Sequence, residues 1–121
     1  MSTDSGMTVV TALIRPHMEG HVVRALHELP DFPGFTITDV RGQGRSRGAG
    51  GTYQATALGL TYQRHLQLQL ICPIDKAEDI CRVIAAAAWT GRKGDGVVFT
   101  TSAQLFWRIR EQGHHTRGPT R

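Results

Sequence analysis

The segment Gly91-Arg92-Lys93-Gly94-Asp95-Gly96 sets three glycines around two cations and one carboxylate. Glycine lets successive backbone N–H groups converge on an anion, so such a loop can form a phosphate nest. It is not a Walker A loop. Val97 and Val98 stand where lysine and serine or threonine would be required. The segment also follows a helical pattern and precedes a strand pattern, the reverse of the P-loop order. A plain helix-to-strand turn would use the same glycines.

Two further sets could hold an anion. Arg108 and Arg110 lie in the alternating run Leu105–Arg110 (LFWRIR), which predicts a last short strand. In a strand both would project to one face, ~7 Å apart, with Leu105, Trp107 and Ile109 on the other. Two guanidinium groups so placed suit a polyphosphate, although two solvated arginines would fit the same pattern. Arg41, Arg45 and Arg47 are interleaved with Gly42, Gly44 and Gly48. Arg47 occupies the place of the third glycine, so the dinucleotide fingerprint fails. That leaves a basic loop for an anion or a partner, or a plain surface loop.

Other chemistry is poorly supplied. His17 and His21 have i, i+4 spacing, close enough to share a metal on a helix, and His114-His115 lie near the end. Neither pair has a third ligand at good spacing, which favours solvated surface histidines. Cys72 and Cys81 make neither a zinc set nor a disulfide framework and read as two buried thiols. No Ser-His-Asp or Cys-His set and no paired carboxylates appear, so hydrolytic chemistry has no motif to rest on.

The elements that position these residues follow from periodicity. Thr8–Arg15 is β-branched and apolar and predicts a buried strand closed by Pro16. Met18, Val22, Ala25, Leu26 and Leu29 form one helical face, stopped by Pro30. Phe35–Arg41 predicts a second strand. Periodicity then fails from Gly42 to Gln63, a length that is usually functional or disordered. His65–Leu70 alternates strictly, with Leu66, Leu68 and Leu70 facing inward. Asp75 opens a capping-box-like start, and Ala77, Ile80, Cys81, Ile84, Ala87 and Ala88 line the next helix. Val97–Thr101 predicts another strand. Two strand-helix-strand units with an extra strand make a ferredoxin-like α+β fold. Residues 1–7 and 111–121 read as flexible termini.

Composition agrees with one soluble domain. The chain has 121 residues, 40% of them apolar and 20% charged. Six of its 14 glycines fall between residues 42 and 59. The cations are nearly all arginine, which favours a bound carboxylate or phosphate. A net charge of +4 is too mild to argue nucleic acid. The longest early apolar run, Val9–Ile14, falls far short of the ~20 residues of a membrane span. A cytoplasmic protein without membrane insertion is expected.

Together the motifs resemble the PII signal-transduction family. The likeness runs from about Val9 to Arg110. It rests on ALIRPHMEGHVVRAL, on PGFTITDVRGQGR before the long loop, on WTGRKGDG after the second helix and on the closing WRIR. The resemblance implies a ferredoxin-like fold assembling as a homotrimer, with adenine nucleotides (ADP, AMP or ATP) in clefts between subunits. It implies that residues 42–63 form a T-loop that regulates a target protein, whether transporter, enzyme or regulator. Gly94, Asp95 and Gly96 would wrap the phosphates. Gly42, Gly44 and Arg45 would meet the ligand at the T-loop base. Thr36 would lie by the adenine, and Arg108 and Arg110 would reach toward the phosphates in a shared cleft.

The sequence departs from the family pattern at four places. The lysine after GDG is Val97, which removes one phosphate-binding charge and points to ADP or AMP over ATP. The glutamine that helps hold Mg²⁺ and 2-oxoglutarate is Ser46, and the lysine that grips the same metabolite is His65. The resemblance therefore leaves Mg²⁺ open and makes 2-oxoglutarate sensing of the usual kind unexpected. The uridylylated tyrosine aligns with Leu58. These features resemble a divergent PII-like branch, of the sort linked to transport, metal efflux or inorganic-carbon regulation, with bicarbonate as a candidate second effector. The expectation is a non-enzymatic sensor. Two alternatives stand beside it: a metal-binding relative of the divalent-cation-tolerance proteins using His17 and His21, and a slow nucleotide hydrolase with Asp95 as base.

Overall fold

Strand β1 (Met7–Ile14) is the second strand from one edge of a four-stranded antiparallel sheet. The computed structural model describes residues 4–43, 55–56, 59–60 and 62–114. After β1 come a 3-10 turn (Pro16–Met18), helix α1 (Glu19–His27) and strand β2 (Thr36–Gly42). Two-residue strands β3 (Ala55–Thr56) and β4 (Gly59–Leu60) pair with each other inside the long loop. Strand β5 (Gln63–Pro73) leads directly into helix α2 (Ile74–Ala88), and strand β6 (Gly96–Ala103) follows. The sheet order is β2-β5-β1-β6. This is the ferredoxin-like α+β fold expected from the two βαβ units.

Alternation sets the faces. Val10, Ala12 and Ile14 of β1 and Leu66, Leu68, Leu70 and Cys72 of β5 point to one side and are buried. Val22 and Leu26 of α1 and Ala77, Ile80, Ile84 and Ala88 of α2 close over them as one core. Their spacing places each set on one helical face, the stripe a helix must bury against a sheet. Met18 of the 3-10 turn is buried with them, while Ala25, Leu29, Cys81 and Ala87 are half-buried. The two buried threonines of β1 are satisfied. Thr8 Oγ1 donates to the Thr101 carbonyl at 2.9 Å, and Thr11 Oγ1 accepts from Gln69 Nε2 at 3.1 Å. The opposite sheet face carries Leu13, Ile71, Val97 and Phe99, and the last three are exposed.

Several boundaries differ from the sequence expectation. Met7 opens β1 instead of ending a flexible terminus, because the Gly6 carbonyl accepts from Ile74 N at 2.9 Å and ties the chain down just before it. β5 extends to Pro73, so Asp75 is not a cap; it sits inside the first turn of α2. Leu105–Arg110 is not a strand. β6 ends at Ala103, and a 3-10 turn runs from Ile109 to His114. A strand needs an edge to satisfy its N–H and C=O groups, and alternation alone does not supply one. Among the described residues the apolar side of this run finds little cover: Leu105, Trp107 and Ile109 are 71%, 77% and 91% exposed.

Candidate functional site

The loop between α2 and β6 is built around one carboxylate. Asp95 Oδ2 accepts from the Thr90 backbone N–H at 2.7 Å and from the Gly91 N–H at 3.1 Å. Asp95 Oδ1 accepts from the Thr90 hydroxyl and, at 3.0 Å, from Arg15 Nε. Thr90 Oγ1 in turn accepts from the Arg92 N–H at 3.2 Å. These donors, the Thr90 hydroxyl and N–H first and then Arg15 and the Gly91 N–H, hold the Asp95 carboxyl far below the usual carboxylate range, against the opposing effect of its partial burial.

Glycine is required within the loop at Gly91 and Gly94, as it is at Gly96 where β6 begins. Gly91 and Gly94 have φ of +85° and +86°, the left-handed region that only glycine enters freely. The neighbouring strands then fix the loop from below. Arg15, immediately after β1, donates from Nη2 to the Lys93 carbonyl. His65 Nε2 of β5 lies 3.3 Å from the Gly94 carbonyl. The carbonyls of Lys93 and Gly94 and the Asp95 carboxylate, all groups that repel an anion, are thus held by protein donors.

Beside the loop runs a groove of about 440 Å³, lined in part by Leu13, Cys81, Ala85, Trp89 and Val97. Val97, the first residue after the Gly-Asp-Gly run, is part of its largely apolar wall.

The structure gathers some of the expected residues and not others. Gly94, Asp95 and Gly96 form the loop and the start of β6. Thr36 opens β2, exposed, opposite Gln69, and Gly42 closes β2 opposite Gln63. Gly44 and Arg45 lie outside the described residues, as do Ser46, Arg47, Leu58 and His115. Arg108 and Arg110 do not share a strand face. Arg108 precedes the 3-10 turn with its guanidinium over the Phe106 ring, 5.0 Å from the centroid, and Arg110 lies within the turn. Among the described residues no ion pair joins either arginine to the 90–96 loop.

His17 sits in the 3-10 turn and His21 in α1, both exposed, so they do not share one α-helical ladder. Among the described residues no group of three or more His, Cys, Asp or Glu could hold a metal ion. Arg15 and Thr90 were missed as loop builders. Arg15 is far from the loop in sequence, and its only signal was the Arg-Pro pair at the end of β1.

A ferredoxin-like domain with a long β2–β5 connection and a glycine-rich, internally hydrogen-bonded α2–β6 loop defines the class. The comparisons then give the family. The family model described as "Nitrogen regulatory protein P-II" matches residues 7–113, and the chain belongs to this family. It is 29% identical over 104 residues to nitrogen regulatory protein GlnK of Escherichia coli K12, covering 86% of this chain and 92% of that one. It is 32% identical, with the same coverage, to nitrogen regulatory protein P-II of Rhizobium etli. A crystal structure of Arabidopsis thaliana PII bound to citrate superimposes with a TM-score of 0.69 at 26% identity, covering 88% of this chain and 86% of that one. The chain is a regulatory signal-transduction protein of the PII type. No helix among the described residues is long and apolar enough to cross a membrane.

Proposed function

We propose that this chain is a non-enzymatic, homotrimeric sensor of adenine nucleotides that regulates a target protein through its 42–63 loop. The observation that carries the reading is the 90–96 loop. Its one carboxylate accepts from four donors within the protein, and its carbonyls at Lys93 and Gly94 face Arg15 and His65. A loop so arranged turns no unpaired negative group toward a phosphate. The exposed arginines and apolar side chains of residues 105–110 suit a segment that completes its site on a second copy. The sheet face bearing Val97, Phe99 and Ile71 suits burial among three copies. A nucleotide that contacts the loop base in one conformation would favour that conformation by its differential affinity.

His65, at the foot of the long loop and against Gly94, ties the phosphate loop to the start of β5. Val97 supports ADP or AMP over ATP. Asp95 is a poor candidate for a hydrolytic base, because its four accepted hydrogen bonds leave it weakly basic and already engaged. Titration calorimetry with ATP, ADP, AMP and cyclic AMP, with and without bicarbonate or 2-oxoglutarate, tests the reading. Micromolar binding of at least one adenine nucleotide is expected. No heat with any of them would overturn it.

A further inference from the structure

The geometry points to Arg15 as the positioning residue of the 90–96 loop, an inference that rests on the anion-binding role proposed above for that loop. Arg15 belongs to none of the loop's sequence motifs. It follows the last residue of β1, and Pro16 then turns the chain into the 3-10 segment. From that fixed base one planar guanidinium spans two loop groups. Nε donates to Asp95 Oδ1 at 3.0 Å, and Nη2 donates to the Lys93 carbonyl. The fork geometry of arginine makes both contacts from one side chain, which a lysine cannot do. Arg15 and Asp95 side chains are each 21% exposed, so the pair is only partly screened by water.

The consequence concerns what the loop shows to a ligand. With Arg15 in place, the Asp95 charge is compensated and the Lys93 carbonyl is drawn toward β1. Without it, Asp95 keeps the Thr90 and Gly91 donors but carries an uncompensated negative charge, and the Lys93 carbonyl loses its donor. Both changes oppose a phosphate. The glycine at position 94 fits the same design. A Cβ there would stand 3.3 Å from Arg15 Nη2, and φ is +86°. Arg15 therefore acts through the loop, on the shape and charge that an anion meets.

The test uses Arg15→Gln and Arg15→Lys in the full chain, with inorganic pyrophosphate, ADP and neutral adenosine as probes. Hydrogen exchange of the peptide covering residues 89–96 is followed without any ligand. Arg15→Gln should speed that exchange while α2 stays protected. It should also weaken pyrophosphate and ADP on the order of tenfold or more, the size of one lost charge-assisted contact, and leave adenosine unchanged. Arg15→Lys, which keeps the charge and one contact, should recover part of the anion affinity. Faster exchange with unchanged anion affinity would make Arg15 a structural brace only and overturn the inference. So would an equal loss for adenosine. If wild type binds pyrophosphate in an Arg15-dependent way but no adenine nucleotide, the sensor reading fails while the Arg15 assignment stands. If wild type binds none of the probes, both fail.

Discussion

Gly96 lies directly against the backbone carbonyl of Leu13: a Cβ built on Gly96 would stand 1.7 Å from that oxygen. Its φ is +116°, a conformation closed to side-chain-bearing residues. The pair sits where β6 begins to register on β1, Gly96 opposite Ile14. The last glycine of the loop thus sets how closely β6 approaches β1.

Gly96→Ala should therefore destabilise the fold by on the order of 3 kcal/mol or more, from backbone strain plus steric overlap that forces β1 and β6 apart. A melting temperature lower by roughly 10 °C is the expected readout. Gly20→Ala is the matched control. Gly20 lies in α1 with nothing within 4 Å of its Cβ position. That change should be neutral or stabilise by ~0.5–1 kcal/mol. Equal effects at the two sites would refute the steric account.

Asp95 gives a pH prediction. Its folded pKa lies far below the ordinary 3.8, chiefly through the Thr90 hydroxyl and N–H and then through Arg15 and the Gly91 N–H. A group with a depressed folded pKa contributes stability above its unfolded pKa and loses it as pH falls through the folded value. The loop should hold at pH 4 and open only in stronger acid. The Asp95 carboxyl carbon should keep its ionised NMR shift at pH 3. Asp95→Asn should abolish that acid-dependent step and loosen the loop at neutral pH. A carboxyl titrating near 4 would show the donor network to be ineffective.

How much of this was legible beforehand depends on which interactions are local. The core residues Leu66, Leu68 and Leu70 announced themselves by strict alternation, and Ile80 and Ile84 by helical spacing, because a period is written along the chain. The ligand set of Asp95 was only half legible. Thr90 and Gly91 are its sequence neighbours, but Arg15 meets it through the β1–β6 register, which no local pattern encodes. The last strand failed for the converse reason. LFWRIR has the strand period, yet among the described residues no sheet edge pairs with it, and the run ends in a 3-10 turn. Arg108 lies before that turn and Arg110 within it, so the pair does not have the shared face that a strand's two-residue period would give.

The two cysteines should be inert. Burial pushes the Cys72 thiol above its ordinary 9.0, with smaller contributions from Cys81 and Asp75, and burial and then Glu78 push Cys81 up likewise. Thiolate is the reactive form, so neutral-pH alkylation should be slow until the protein unfolds. A raised folded pKa contributes stability below the unfolded value that is lost as pH rises through the folded one. Urea midpoints should therefore fall above pH ~9, and Cys72→Ala should flatten that fall. Rapid labelling of folded protein at pH 7 would contradict the burial argument.

Arg108 and Arg110 are exposed in the single chain, so removing them should barely change stability, within about 0.5 kcal/mol. If both reach a neighbour's nucleotide, each desolvated charge-assisted contact contributes ~1.5–3 kcal/mol of binding. The double change Arg108→Ala with Arg110→Ala should then weaken ADP on the order of a hundredfold or more in calorimetry. An unchanged affinity would mark them as solvated arginines.

Val97 offers a gain-of-function test at the same site. It is 54% exposed and forms part of the groove wall beside Asp95 and Gly96. Its Cβ points away from the helices, on the sheet face shared with Leu13 and Phe99. Val97→Lys would place an ammonium group within reach of a phosphate on the loop without disturbing the core. One new charge-assisted contact of ~1.5–3 kcal/mol corresponds to roughly tenfold or more in affinity. The gain should be larger for ATP than for AMP, because the added charge meets the distal phosphates. Lower ionic strength should widen it, since an exposed cation is screened by salt. Equal gains for ATP and AMP would place residue 97 away from the phosphate chain. No gain for either would mean that the groove beside Trp89 is not where the phosphates lie.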